Sequence, residues 1–229
     1  MRPLHVRRLG RVPYGEAWAL QRALVAERAA GDIPDTLLLL EHDPVVTLGR
    51  DGNRGSLLLD EAGFAARGVE LVESDRGGDA TFHGPGQLVA YPILDLKPDM
   101  QDVGKFVRGL EQAMIDTVAD YGLTAGRDPG NPGVWLDDPP RKIGAIGARI
   151  SRWITHHGVA LNVNVDLAYF GLIVPCGIVG KGVTSLQREL GRAVPLDEVA
   201  DRLAAHLAAR FGRALVADVP PIDHNGRRS

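Results

Sequence analysis

Cysteine is almost absent from this chain of 229 residues, which contains only Cys176. One cysteine cannot close a disulfide bond within the chain, so a disulfide-stapled fold is excluded. The CxxC and HExxH spacings of common zinc sites are also missing. His156 and His157 are neighbours in a predicted strand and should therefore point to opposite faces, which makes the pair a poor ligand set. We expect no metal site.

Long apolar runs are missing as well. No stretch approaches the ~20 apolar residues that span a bilayer, and the first 18 residues carry scattered arginines without the apolar core of a signal peptide. The net charge of −3 lacks the basic excess that is typical of nucleic-acid binders. These absences predict a soluble, cytoplasmic protein that binds neither membranes nor nucleic acid.

A phosphate-binding loop is a further absence. The segment Gly180-Lys181-Gly182 has glycine where such a loop needs serine or threonine to hold the metal of a nucleotide. No motif supports the use of ATP, and we expect no cofactor.

The spacing of apolar residues predicts three helices, over Glu16–Ala30, over Val103–Tyr121 and from Pro195 to Phe211, each followed by glycine. Short apolar or alternating runs predict strands at 36–40, 45–48, 69–72, 81–83, 88–94, 159–165 and 215–219, with further short strands between 126 and 150. Most strands follow one another without an intervening helix. We therefore predict an α/β protein of the α+β type, with a mixed, largely antiparallel central sheet and helices against one face.

No internal repeat or long linker divides the sequence. We expect a single domain over residues 1–219, followed by a flexible tail over 220–229.

Cys176 is the first candidate for chemistry. It lies between Pro175 and Gly177, which favour a sharp bend that can display a thiol. A free cysteine is also often a buried small hydrophobe, and that alternative stays open. A reactive thiol needs a nearby cation or base, and Lys142, one of only four lysines, opens the glycine-rich string KIGAIGAR. A surface lysine at the end of a strand is the competing interpretation.

The string RGGDATFHGPGQ over residues 76–87 is the most unusual in the sequence. Pro85 and Gly86 fit the two central positions of a tight turn, with Gly86 at positive φ. A turn alone does not require Arg76, Asp79 and His83 beside it. These side chains could line a pocket with hydrogen-bond donors and one titratable imidazole, although His83 could equally be structural.

Four strings, RGGDATFHGPGQ, KIGAIGAR, THHGVALNVNVDL and VPCGIVGKGVTSL, follow one another in this order. In this order they resemble the octanoyltransferases of lipoate biosynthesis, along most of the chain. The resemblance implies the fold of the biotin and lipoate protein ligases. It also implies transfer of an octanoyl group from acyl carrier protein to a lysine of lipoyl domains, which are found in 2-oxoacid dehydrogenase complexes and in the glycine cleavage H protein.

The resemblance also implies residue roles. Cys176 would be the nucleophile that carries the acyl group as a thioester, and Lys142 the residue that activates it. Either Lys142 or His83 could take a proton from the acceptor amine, and we favour Lys142. The implied substrate-binding residues are Arg76, Gly77, Gly78, Asp79, Ala80, Thr81, Phe82, His83, Ala145, Ile146, Gly147, Gly158, Val159 and Ala160.

Both protein substrates of that family tend to be acidic, so Arg50, Arg54, Arg149 and Arg152 are candidates for a docking rim. Three alternatives stay open. An ATP-dependent lipoate or biotin ligase on the same fold would need no cysteine, a non-catalytic module would only bind acyl carrier protein, and a thioesterase-like hydrolase would release the acyl group to water.

Overall fold

The computed structural model describes residues 1–97, 99–174 and 181–216. Its helices are α1 (Tyr14–Ala30), α2 (Glu61–Ala65), α3 (Val103–Ala119), α4 (Leu186–Leu190) and α5 (Leu196–Arg210). Its strands are β1 (Arg2–Val12), β2 (Asp35–His42), β3 (Val45–Leu48), β4 (Glu70–Glu73), β5 (Ala80–His83), β6 (Gln87–Ile93), β7 (Gly126–Asp128), β8 (Asn131–Leu136), β9 (Arg141–Ile146), β10 (Arg149–Ser151), β11 (Ile154–His156), β12 (Val159–Asn162), β13 (Gly182–Val183) and β14 (Arg213–Val216).

In the described ranges a nine-stranded sheet runs in the order β14-β1-β2-β6-β12-β9-β8-β7, with β13 paired to β9. In the part of the sheet that runs β2-β6-β12-β9-β8-β7, every neighbouring pair is antiparallel. Strand β1 is parallel to both β2 and β14, and β13 is parallel to β9. The prediction of a mixed, largely antiparallel sheet is confirmed.

Two smaller units flank this sheet. Strands β4, β3 and β5 form a three-stranded sheet, and β10 and β11 form a hairpin. The turn before β6 has Gly86 at a φ of 83°, as predicted, and a side chain at this position would collide with the backbone of Asn164 and Val165. This turn places β5 and β6 in different sheets, with the loop between them at the junction.

The leucines of β2 show why the central sheet is covered on both faces. Leu37 and Leu39 pack with α3 and α5, whereas the alternate residues Leu38 and Leu40 pack with α1. The expectation that the helices lie against one face was wrong. An unbroken apolar run in a strand requires cover on both sides, because successive side chains point to opposite faces.

The predicted helices correspond to α1, α3 and α5, and Gly31 ends α1 in the left-handed conformation, with φ at 87°. Strand β1 was missed, since its arginines obscure the buried alternation of Leu4 and Val6. The short helices α2 and α4 were also missed. The last predicted strand begins earlier than expected, at Arg213, and residues 217–229, including the predicted tail, lie outside the described residues.

None of the helices in the described part of the chain is both long enough and apolar enough to cross a membrane.

Leu38 and Leu58 provide a matched test of this core. Leu38 is fully buried beneath α1, whereas Leu58 is 57% exposed. We expect Leu38→Ala to lower the free energy of unfolding by about 2–5 kcal/mol, because it removes buried apolar area and leaves a cavity. Leu58→Ala should change it by less than about 0.5 kcal/mol. Urea denaturation of the two variants checks this, and equal losses would contradict the core assignment.

Candidate active site

A cavity of about 440 Å³ lies where the loop before β5 meets β9 and β12. Its size falls within the range of small-molecule sites. Lys142 lines this cavity, as do most of the implied substrate-binding residues. The further lining residues are Asp51, Gln87, Tyr91, Val107, Gly130, Asn131, Pro132, Ala148, His157, Asn162, Phe170 and Val183. Every residue that the resemblance assigned to substrate binding lines this cavity, with the exception of Phe82.

The Phe82 side chain lies on the face of β5 opposite to Thr81 and His83 and packs into the core of the three-stranded sheet. It is buried against Tyr169, with ring centroids 4.8 Å apart and planes nearly parallel, and against Phe170 at 5.6 Å. Phe82 therefore belongs to the core of the three-stranded sheet, and Tyr169 and Phe170 extend that core towards the segment that carries Cys176.

Arg76 organises the glycine-rich loop. Its guanidinium is buried and donates hydrogen bonds to the carbonyls of Thr47 at 2.6 Å, Asp79 at 2.6 Å and Gly77 at 2.9 Å, and to the Thr47 hydroxyl at 2.9 Å. Gly147 allows the Arg76 side chain to pass, since a Cβ there would lie 3.0 Å from Arg76 Cδ. The guanidinium thus ties the loop to β3, and the Arg76 side chain packs beside Gly147, just after β9.

Asp79 has a similar structural task. Its carboxylate accepts hydrogen bonds from the backbone N–H of Asn53 at 3.1 Å and from the hydroxyl of Ser56 at 2.8 Å. The carbonyl of Ser56 in turn accepts from the N–H of Val174, at 2.8 Å, just before the Cys176 segment. Asp79 therefore links the cavity loop to the chain that leads towards Cys176.

Lys142 lies on β9, half-buried, with its ammonium 4.8 Å from the centre of the Trp135 ring. Strand β13 pairs with β9 so that Val183 lies opposite Lys142, and the N–H of Thr184 donates to the Lys142 carbonyl at 2.9 Å. The chain that follows the predicted nucleophile is thus held against the predicted activating lysine. Cys176 itself lies outside the described residues.

Four aromatic side chains form a buried layer that reaches the cavity. Tyr14 stacks on His83 with ring centroids 6.0 Å apart, and His42 lies 5.7 Å from His83. His42 Nε2 is 2.8 Å from the hydroxyl of Tyr91, and its Nδ1 is 2.8 Å from the carbonyl of Val12. Burial lowers the pKa of His42 to about 4, and burial with the nearby charges of His42 and Arg76 holds the pKa of His83 well below its usual value.

His156 and His157 both approach Asp75, contrary to the expectation of opposite faces. His157 Nε2 is 2.7 Å from one carboxylate oxygen of Asp75, and His156 Nε2 is 3.8 Å from the other. The alternation fails because β11 ends at His156 and His157 has a positive φ of 51°. Burial lowers the pKa of His157 to about 4.

The donor atoms of Asp75, His156 and His157 lie within 4.8 Å of one another, a spacing that could admit a metal ion. The guanidinium of Arg149 forms an ion pair with the same carboxylate. Its positive charge opposes a cation at this position, so we assign the cluster to charge neutralisation and not to metal binding.

The comparison with known proteins agrees with this geometry. Residues 13–208 match the family model described as the lipoyl protein ligase A/B catalytic domain. The chain belongs to this family. It is 53% identical over 212 residues to the octanoyltransferase of Chloroflexus aggregans, covering 92% of this chain and 96% of that protein. It is 55% identical over 196 residues to the octanoyltransferase of Rubrobacter xylanophilus, covering 84% and 87%.

Solved structures of lipoate and biotin protein ligases share the fold of this chain. The bipartite lipoate protein ligase of Thermoplasma acidophilum superposes with a TM-score of 0.71 at 17% identity, over 95% of this chain and 86% of that one. The biotin protein ligase of Aquifex aeolicus gives a TM-score of 0.56 at 13% identity, over 91% and 70%. These similarities confirm the fold that the resemblance implied.

The sequence reasoning missed Gln87, Tyr91 and Asn162 as cavity residues. A signal was present in the sequence, because Gln87 and Asn162 are polar residues in otherwise apolar strands, and such residues often face a site. In the pairing of β6 with β12, Gln87 lies opposite Asn162, so the two amides meet on one face of the sheet.

The buried histidines should make stability depend on pH. His42 and His157 have folded-state pKa values of about 4, below the ~6.5 of an unfolded chain, so the unfolded state binds protons first as pH falls. The free energy of unfolding that the neutral histidines contribute is fully present above pH ~6.5. It is lost as the pH falls towards 4, by at most ~1.4 kcal/mol per pH unit for each histidine. Urea denaturation between pH 7.5 and pH 4.5 measures this. His42→Gln should make the free energy of unfolding fall less steeply with decreasing pH. An unchanged pH dependence would contradict the lowered pKa of His42.

Proposed function

We propose that this protein is an octanoyltransferase that carries the acyl group on Cys176 and delivers it to a lysine of a lipoyl domain. The donor is octanoyl acyl carrier protein, and the acceptors are lipoyl domains of 2-oxoacid dehydrogenase complexes and the glycine cleavage H protein. The proposal includes a cytoplasmic location and no cofactor. One observation carries it. A single cavity is lined by Lys142, by residues of the glycine-containing segments 76–83, 145–148 and 157–160, and by Phe170 and Val183, which precede and follow Cys176 in the sequence.

The lining suits an acyl chain. Ala145, Ile146, Val159 and Ala160 come from the paired strands β9 and β12 and contribute small or apolar surface to the cavity. Gly158 keeps the backbone close to β6, because a Cβ there would overlap the carbonyl of Ala90. An octanoyl chain bound here would be stabilised by burial of its methylene groups, at ~0.8 kcal/mol each.

In the first half-reaction, the Cys176 thiolate, paired with the Lys142 ammonium, attacks the thioester carbonyl of the donor. A new C–S bond forms to Cys176 and the bond to the sulfur of the carrier breaks. The departing thiolate takes a proton from Lys142, which is left as a neutral amine. The product is an octanoyl thioester on Cys176.

In the second half-reaction, the amine of the acceptor lysine attacks the Cys176 thioester. The C–N bond forms, the C–S bond breaks, and the electron pair leaves on the sulfur. Lys142, now neutral, takes the proton lost by the nitrogen, which restores the thiolate and the ammonium. No ATP enters either step.

The alternative of an ATP-dependent ligase is favoured by one observation, the fold shared with the Thermoplasma and Aquifex ligases. That likeness rests on 17% identity or less and concerns the fold alone. The octanoyltransferase relatives share about half of the residues over nearly the whole chain, which is why we place transfer first.

The test is the intact mass of the purified protein after incubation with octanoyl acyl carrier protein, without ATP or acceptor. We expect one octanoyl adduct, mapped to Cys176 and absent in Cys176→Ser. If the adduct is missing and lipoyl domains are modified only when ATP and free octanoate are supplied, the ligase alternative replaces the proposal. Octanoate released without any acceptor would indicate a hydrolase.

Lys142 and Lys181 form a matched pair for the activating role, because both ammonium groups lie about 5 Å from the centre of the Trp135 ring, at 4.8 and 5.1 Å. We expect Lys142→Met to slow acylation of Cys176 by about 10²–10⁴-fold, since the thiol loses the cation that supports its thiolate. Lys181→Met, which removes an ion pair with Asp128, should retain most of the rate. The rate of Cys176 acylation in each variant is measured by intact mass spectrometry of samples quenched at successive times. Similar losses in the two variants would contradict a specific role for Lys142.

The docking rim is proposed on Arg50 and Arg152, which are exposed. The N–H of Arg50 donates to the carbonyl of Arg76, so Arg50 lies beside the cavity loop. Arg149 and Arg54 are less suited, because Arg149 pairs with Asp75 and Arg54 with Glu61 and Glu73.

We expect Arg50→Glu to raise the KM for octanoyl acyl carrier protein severalfold at low salt, because it replaces attraction to an acidic partner by repulsion. The difference from the unmodified protein should shrink as ionic strength rises. Arg67→Glu makes the same charge change just after α2 and serves as the control. Equal effects of the two substitutions would contradict a local docking site.

A further inference from the structure

A chain of buried hydrogen bonds runs from β13 to the cavity. The side-chain N–H of Asn162 donates to the carbonyl of Thr184 at 2.9 Å. The side-chain N–H of Gln87 donates to Asn162 Oδ1 at 3.0 Å, and Gln87 Oε1 lies 2.7 Å from His83 Nδ1. All four residues are buried, with His83 6% and Gln87 1% exposed.

Two backbone carbonyls fix the direction of every bond in this chain. The carbonyl of Thr184 can only accept, so the nitrogen of the Asn162 amide must face it and the oxygen must face Gln87. The carbonyl of Phe82 also accepts from Gln87 Nε2, at 3.2 Å. The Gln87 oxygen therefore faces His83, and Nδ1 of His83 must carry the hydrogen.

This arrangement leaves Nε2 of His83 as an unprotonated acceptor. In the described part of the chain Nδ1 is the ring nitrogen that is hydrogen-bonded, and His83 lines the cavity. The charged and titratable groups around the ring are His42 on β2, Arg76 in the cavity loop, His157 after β11 and Tyr14 on α1. Burial and the neighbouring positive charges oppose protonation, so the imidazole stays neutral.

We propose that Gln87 and Asn162 are positioning residues that hold His83 as the hydrogen-bond acceptor for the amine of the incoming lysine. This inference rests on the proposed function. A neutral lysine amine has two hydrogens and one lone pair. When His83 Nε2 accepts one N–H, the lone pair stays free to attack the thioester, and the other hydrogen can pass to Lys142, which lines the same cavity.

His83 gains no proton in this step. The C–N bond forms, the C–S bond breaks with its electron pair left on the sulfur, and the proton that the nitrogen loses passes to Lys142, as in the second half-reaction. The role of His83 is therefore confined to discharge of the acyl-enzyme. Acylation of Cys176 by the carrier, which brings no amine, should not depend on this hydrogen bond.

The test compares Gln87→Glu with Gln87→Met. A glutamate still accepts from His83 Nδ1, but its negative charge stabilises the imidazolium and raises the pKa of His83. Protonated His83 cannot accept at Nε2, so the discharge rate relative to the unmodified protein should fall as pH decreases from 8 to 6. Methionine adds no charge but removes the hydrogen bonds of the Gln87 amide to His83, Asn162 and Phe82, so it should slow discharge by about tenfold or more at all these pH values.

Each variant is first acylated with octanoyl acyl carrier protein, and its discharge by a lipoyl domain is then followed by intact mass. Gln187→Glu, an exposed glutamine on α4, controls for the added charge and should show no such acid-side loss. We expect the two Gln87 variants to lose less in acylation than in discharge, and Gln187→Glu to keep both rates. Equal losses in acylation and discharge, with a ratio independent of pH, would overturn the inference and indicate a structural role for Gln87. If the unmodified protein forms no acyl-enzyme, the proposed function itself fails.

A measurement on the unmodified protein does not depend on the variants folding. Nitrogen-15 NMR of labelled histidine distinguishes the two neutral tautomers, and His83→Gln identifies the signal. We expect His83 to carry its hydrogen on Nδ1 at pH 7. A hydrogen on Nε2, or a charged ring at that pH, would overturn the inference.

Discussion

The site depends on the pairing of β9 with β12 on one edge and with β13 near its start. The first pairing places Ala145 opposite Ala160 and Ile146 opposite Val159, so one ladder supplies two of the three segments that line the cavity. The second places Val183 opposite Lys142. Main-chain hydrogen bonds therefore set the distance between Lys142 and the chain that follows Cys176.

The polar side chains at the cavity serve mainly to hold this backbone in place. Arg76 binds carbonyls of β3 and of its own loop, and Asp79 binds the segment that contains Asn53 and Ser56. Buried carbonyls without partners would cost ~1–3 kcal/mol each, so these bonds keep an otherwise irregular loop in one conformation. Lys142, by contrast, lies on the central sheet and brings a positive charge to the cavity lining.

Local patterns in the sequence predicted much of this structure. The 3.6-residue spacing in α3 and α5 and the turn at Gly86 follow from rules that need no tertiary contact. The cover on both faces of β2 could also have been read from its four consecutive leucines. Strand β1 could not, because its arginines obscure the alternation and its parallel pairing with β14 joins parts of the chain more than 200 residues apart, such as Arg2 and Arg213.

Most residues that the resemblance assigned to substrate binding line the cavity, whereas contacts that combine side chains across strands were missed. The meeting of Gln87 with Asn162 depends on the register of β6 against β12. The approach of both histidines to Asp75 depends on a single positive φ at His157, a conformation that is uncommon outside glycine and asparagine. Neither can be derived from the periodicity of one segment.

The central claim is that the acyl group passes through the protein itself. The most direct measurement isolates the octanoylated protein free of donor, mixes it with a lipoyl domain without ATP, and follows both intact masses with time. The account predicts that octanoyl leaves Cys176 at the rate at which it arrives on the acceptor lysine. Loss of the adduct without gain by the acceptor, or modification of the acceptor only after ATP is added, would contradict it.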